Sequence, residues 1–573
     1  MNIRNPILPG FNPDPSILRV GDDYYIATST FEWFPGVQIH HSRDLVNWRL
    51  LTRPLRRASQ LNMLGDPDSC GVWAPCLTYA DGLFWLIYTD VKRFGRSSMG
   101  GTSGASMRDF HNYLVTCPTI DGEWSDPVYL NSSGFDPSLF HEDDGRKYLV
   151  NMLWDYRPGR NRFAGIVLQE YSVAERKLIG KRVNIFKGTS LGLTEAPHIY
   201  KRDGWYYLLT AEGGTNWDHA VTMARSRNLT GPYEVHPDGH LLTARNRPDS
   251  ELQRSGHASL VETPDGETYM TYLVGRPIPN RGRCILGRET AIQKMVWGED
   301  GWLRTLDGQG APTIETPAPT MAGRSRREEA QTEVRNPKSE IRNDQSLLTS
   351  AATIRHDFDA PELPLDFQWL RTPYPDELFS LTARPGHLRL YGRESIGCLF
   401  KQSLVARRQQ SFCYSAETVV EFEPEHFQQL AGLTCYYNSS KFHYLHISHD
   451  DQIGKYLAVM SQIPDAAQAD AFTPPIPIPA GKPVRLRVEV DFERLHFAYQ
   501  VVGVDRDWRW IPKQFDASIL SDEASAIGQP NFTGAFVGMA CQDMAGTGRP
   551  ADFDQFAYVE RGYRADHFAV RGV

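Results

Sequence analysis

One pattern returns five times along this chain at near-constant intervals, and few folds accommodate such a repeat. Each copy opens on a polar or aromatic residue, passes through Pro or a small residue and a short apolar run, turns tightly on Asp and Gly, and ends in an aromatic strand. The copies read Asp14-Pro-Ser-Ile-Leu then GDDYYIATS, Trp73-Ala-Pro-Cys-Leu then ADGLFWLIYT, Asp136-Pro-Ser-Leu-Phe then DDGRKYLVNML, Glu195-Ala-Pro-His-Ile then RDGWYYLLTA, and His257-Ala-Ser-Leu-Val then PDGETYMTYLV. Their first residues lie 59, 63, 59 and 62 positions apart. Equal periods signal units that bury their apolar faces against one another. The Asp-Gly and Asp-Asp turns mark hairpins, because these residues tolerate positive φ. Further strands, such as VQIHHSRDLVNWRLL and GIVLQEYSV, bring each unit to about four, the content of one propeller blade. The repeat therefore predicts an all-β fold with a five-bladed β-propeller over residues 1–315.

In a propeller the inner strands surround a central channel, so residues at equivalent places converge on its mouth. Asp14, Trp73, Asp136, Glu195 and His257 are expected there, with the prolines that follow several of them holding the backbone extended. Three carboxylates crowded at low exposure cannot all ionise freely, which leaves an acid beside a base. Glycoside hydrolysis needs that pair: one carboxylic acid protonates the leaving oxygen while a carboxylate activates water on the far face of the sugar.

Composition excludes other classes. Lys and Arg total 61 against 69 Asp and Glu, a net charge of −8, so no basic surface is set to neutralise phosphates and nucleic acid is not expected as a partner. Eight cysteines without a CxxC pair signal neither a disulfide framework nor a zinc site, and read as free buried thiols. The first residues lack a signal-peptide core, and nowhere do 18 apolar residues run together, so a cytoplasmic protein with no membrane role is expected. No cofactor or metal is signalled: a calcium ion in the channel would need six to eight oxygen ligands, and no DxDxDG loop supplies them.

The motifs GFNPDPSIL, SGFDPSLF, LTEAPHIY, SGHASLVETPDG and CILGRETAI together resemble family 43 of the glycoside hydrolases, specifically its two-domain β-xylosidases. The resemblance implies an inverting enzyme that releases single xylose units from the non-reducing ends of β-1,4-xylo-oligosaccharides, sometimes with α-L-arabinofuranosidase activity. It implies Asp14 as general base, Glu195 as general acid, and Asp136 as a third carboxylate that raises and holds the acid. Arg288 matches a guanidinium that binds sugar hydroxyls beside the carboxylates, a role its fixed fork of donors suits. Phe31, Phe135 and Trp154 resemble pocket-lining residues that, with Trp73, would strip water from a sugar. Thr215 is implied as a substrate contact. His257 has two roles open: a bond to a carboxylate or sugar, or a place facing down the channel.

Residues 316–350 change to Pro and then dense mixed charge, and read as a linker. Over 351–573, segments such as HLRLYGR, FHYLHISH and VRLRVEVDF alternate with the period of half-buried strands. An antiparallel β-sandwich of the jelly-roll kind, resembling the lectin-like (concanavalin-like) second domain of these xylosidases, is expected. By resemblance, Phe532 reaches across to wall the pocket and enforce exo action. An α-L-arabinofuranosidase, and a carbohydrate-binding protein without chemistry, are the alternatives; three matched carboxylates argue against the second. Homo-oligomeric assembly is left open.

Overall fold

In a computed structural model, which describes residues 1–94, 108–279, 281–320, 353–463, 471–524 and 531–562, the first part of the chain is a propeller of five four-stranded antiparallel sheets. Their inner strands are Ser16–Val20, Gly71–Ala80, Ser138–His141, Glu195–Arg202 and Gln253–Glu262, in the order of the sequence repeat. The turns behave as their residues demand. Asp81-Gly82 and Asp203-Gly204 carry positive φ at both positions, the mirror-image geometry that matches the twist of a two-residue hairpin. The ring is tied at its seam by Asn2–Arg4, which pairs with Glu315–Pro317 beyond the fifth blade. Asn5 adds side-chain bonds to Ile292 and Thr313 of that side. Most of the linker predicted over 316–350 lies outside the described residues.

One expectation fails in an instructive way. The residues before the prolines are not extended: Asp14, Ala74, Asp136 and Ala196, with His257 in the fifth blade, have φ of 57, 38, 53, 51 and 47°. Asp14 and Asp136 lie two residues before their inner strands and the other three within theirs, and pairing in the second, fourth and fifth blades shifts register there. Proline disfavours the right-handed helical region for its predecessor, and here that residue turns left-handed. Aligned on this residue, Asp14, Asp136 and His257 share one register, whereas Trp73 and Glu195 stand one position earlier.

The second part is a sandwich of a nine-stranded and an eight-stranded sheet. Val484–Asp491 shows the predicted alternation, with its four valine and leucine positions buried. The two parts share a sheet. Trp33–Phe34, which leaves the first blade between its second and third strands, forms the edge of the eight-stranded sheet by pairing with Phe367–Leu370. Trp33 is fully buried and stacks on Phe536, ring centroids 3.7 Å apart. Arg371 bonds to the carbonyl of Asp66 and the carboxylate of Asp68 across the same boundary. All eight cysteines are unpaired, and all but Cys398 are buried. Among the described residues no helix is long and apolar enough to cross a membrane.

Removing the Trp33 ring leaves a void between the two parts, so Trp33→Ala should destabilise the protein by about 3–5 kcal/mol. Urea unfolding followed by far-ultraviolet dichroism checks this, with the mutant midpoint lowered.

Candidate active site

A cavity of about 220 Å³ opens where the inner strands converge. Asp14, Phe31, Trp73, Phe135, Asp136, Glu195, Thr215, His257, Arg288 and Phe532 all line it, together with Phe94, Phe163 and Gly214, which the sequence did not single out. Trp154 stands one layer out, edge-on to Phe110 and Phe163 at 5.8 and 5.6 Å.

The left-handed residues explain how the acidic groups are held. In the first and third blades that residue is itself the acid. In the second and fourth it is an alanine whose amide points back to the neighbouring blade. Ala196 N donates to Asp136 Oδ2 at 3.2 Å. Ala74 N donates to Ser29 Oγ at 2.7 Å, and Ser29 Oγ donates to Asp14 Oδ2 at 2.6 Å. Backbone amides thus help to order two carboxylates, Asp136 directly and Asp14 through the Ser29 hydroxyl.

Asp14 has additional partners. Arg288 Nη1 donates to its Oδ1 at 3.0 Å, and His257 Nδ1 lies 3.4 Å from the same oxygen. Burial by itself would raise the Asp14 carboxyl. The Arg288 charge, then His257, the Ser29 hydroxyl and His219 outweigh it and hold Asp14 below its ordinary value. Among the described residues Glu195 has no such pairing. Burial and then the negative charge of Asp14 push it up to about 8, against the weaker pull of Arg288. Asp136 is also driven well above its usual range, by burial and then the charges of Glu195 and Asp14. Asp136 and Glu195 titrate as a pair. His257 is lowered by burial, with Arg288 adding to the effect against the opposing pull of Asp14, so it is mostly uncharged at neutral pH.

The apolar wall is built of rings, edge-to-face on Trp73 for Phe94, Phe135 and Phe532 and tilted for Phe31. Trp73 lies 4.9–5.5 Å from Phe31, Phe94, Phe135 and Phe532, and its Nε1 donates to the Ser69 carbonyl. Ser69 Oγ also accepts from the Phe532 amide. Phe532, from the sandwich, receives Arg288 Nη2 on its carbonyl at 2.7 Å. Of the two roles open to His257, the cavity one fits its position.

Sequence reading also passed over Glu212. Fully buried, it accepts from Thr189 N at 2.7 Å and from the Thr194 and Thr222 hydroxyls, both at 2.8 Å. Thr194 immediately precedes Glu195, so Glu212 fixes the chain that delivers the acid. Gly188 (φ 83°) lies so close that a Cβ there would be 1.9 Å from Thr194 Oγ1. Its signal in the sequence was only a carboxylate ending an apolar strand.

Residues 3–303 match the family model for glycosyl hydrolases family 43, and 355–559 match one described as the β-xylosidase C-terminal concanavalin A-like domain. The chain is 50% identical over 579 residues to a xylosidase/arabinosidase 43B of Humicola insolens, with 99% of each chain covered. It is 49% identical to a β-xylosidase of Bacillus subtilis, over 98% of this chain and 100% of that one. The crystal structure of a xylan β-1,4-xylosidase from Bacillus halodurans C-125 superposes with a TM-score of 0.87 at 50% identity, covering 97% of this chain and 100% of that one.

Glu212→Gln should lower kcat by about tenfold through displacement of Glu195 in the cavity. Steady-state kinetics on an aryl glycoside, with urea unfolding as a check on the fold, tests this.

Proposed function

The chain belongs to glycosyl hydrolase family 43, and from that membership we propose that it is an inverting, exo-acting β-xylosidase that releases xylose from the non-reducing ends of β-1,4-xylo-oligosaccharides. The observation that carries the reading is the split in proton affinity between two buried carboxyls in one sugar-sized cavity: Asp14 held low by a guanidinium, Glu195 held high. That is the division into base and acid that an inverting hydrolysis needs.

Asp14 takes a proton from water as its oxygen attacks the anomeric carbon. Glu195 gives its proton to the glycosidic oxygen as the carbon–oxygen bond breaks on the opposite face. The proton gained by Asp14 and that lost by Glu195 then re-equilibrate with solvent. Asp136 holds the amide next to Glu195, and burial with the charge of Asp14 keeps the acid protonated. Arg288, held between Asp14 and the Phe532 carbonyl, is placed to bind sugar hydroxyls. The ring wall around Trp73 supplies the apolar face against which a pyranose desolvates. Exo action is supported by Phe532, which helps wall a cavity of monosaccharide size. Arabinofuranosidase side activity is a second reading, favoured by the name of the Humicola insolens relative.

Glu195→Ala should remain folded yet hydrolyse xylobiose about 10²–10⁴-fold more slowly. Proton NMR of the wild-type reaction should show α-xylose first; initial β-xylose would require a retaining mechanism. Turnover of 4-nitrophenyl xyloside should exceed that of the arabinofuranoside, and the reverse order would favour the second reading.

The alkaline limb of kcat/KM follows loss of the Glu195 proton. Burial and the negative charge of Asp14 resist that loss, whereas Asp136, itself driven well above its usual range, adds little charge. Asp136→Asn should therefore leave the alkaline limb of the kcat/KM profile near its wild-type pH, and a clear shift to lower pH would mean that Asp136 is charged beside the acid.

A further inference from the structure

Phe532 and Thr215 reach the cavity from different parts of the chain, one from the sandwich and one from the Gly213–His219 loop of the fourth blade. A single guanidinium joins them. Arg254, buried and left-handed (φ 56°) in the inner strand of the fifth blade, donates through Nε and Nη2 to the Thr215 carbonyl at 3.0 and 2.5 Å. Its Nη1 donates to Glu523 Oε1 at 2.5 Å, and Nη2 reaches Asp522 Oδ2 at 3.2 Å. The Arg254 carbonyl lies 3.1 Å from His219 Nδ1, at the far end of the same loop.

The acidic side of the contact leads onward to Phe532. Asp522 Oδ1 accepts the Tyr437 hydroxyl at 2.5 Å, and the Tyr437 oxygen in turn accepts the Thr533 amide at 3.2 Å. Glu523 Oε2 accepts Cys284 N at 2.9 Å, next to the turn at Gly287. There a Cβ would fall 2.5 Å from the Thr533 carbonyl. Both carboxylates and the guanidinium are largely shielded from water, so the contact is a charge-assisted network in a low-dielectric place, where losing one partner is costly.

We propose that Arg254, Asp522 and Glu523 form an interdomain latch that positions two segments of the cavity wall, Thr215 and Phe532, at once, and so sets the fit of the sugar. These are positioning residues; none of the three lines the cavity. The kinetic part of the inference rests on the xylosidase reading, whereas the mechanical part does not.

The test compares wild type with Arg254→Met, Arg254→Lys and the near-isosteric Glu523→Gln, which carries the test if the methionine variant fails to fold. Amide hydrogen exchange by mass spectrometry should rise in 213–219 and 531–535 together in Arg254→Met and Glu523→Gln, with Arg254→Lys in between. For xylobiose, Arg254→Met should raise KM by about tenfold with kcat changed less than about threefold, the signature of lost binding rather than lost chemistry. Faster exchange in only one segment, or in neither, overturns the latch, as does a fall in kcat with KM unchanged. A wild-type protein inert to xylobiose would instead overturn the functional reading, leaving the exchange experiment to decide the latch.

Discussion

Five residues with left-handed backbone, at 14, 74, 136, 196 and 257, set the geometry on which the rest of the site depends. A non-glycine residue there costs roughly 1–3 kcal/mol, and such strain persists only where surrounding structure overrides it. Four-stranded blades and a ring closed by the N-terminal strand provide that support. In return, each inner strand brings a side chain or an amide to the channel mouth. Asparagine and aspartate tolerate this conformation best among residues with side chains, which suits Asp14 and Asp136. At the other two positions that precede a proline, alanine offers its amide instead, and one of those amides anchors Asp136 beside Glu195.

Charge then does the sorting. Three carboxyls share one hollow, but Arg288 and His257 stand beside Asp14 alone. The second part of the chain takes part in this arrangement: Arg288 is held from behind by the Phe532 carbonyl, and the Trp33–Phe34 strand is common to both parts. The sandwich is therefore built into the wall of the site. Buried arginines at the boundary, such as Arg371 and Arg254, keep their positions because their donors meet carbonyls and carboxylates from both sides.

Much of this was legible in the sequence, because the repeat is local. Hairpin turns, strand period and the recurrence of Asp-Pro and Glu-Ala-Pro are carried by neighbouring residues, and they were enough to bring 14, 136 and 195 to one mouth. The register was less legible. Aligning the first polar residue of each unit put Trp73 and Glu195 level with Asp14, whereas the backbone aligns on Ala74 and Ala196, a distinction that only φ reveals. Glu212, Phe94 and the Arg254 network were missed because their meaning comes from partners far away in sequence. No periodicity links Arg254 to Asp522 or Phe532 to Ser69; only the packing of one part on the other does so.

The shared strand also bears on how the protein is made. Phe34 leaves the ribosome about 335 residues before its partner Trp369, an interval of roughly 15–70 s at ordinary rates of synthesis. Throughout that time the first blade carries an apolar ribbon, Trp33–Phe34, with nothing to pair against, and an unpaired edge of this kind invites association with other chains. The nascent propeller is thus a vulnerable species whose protection comes last, and expression of the first 315 residues by themselves would make that transient exposure permanent.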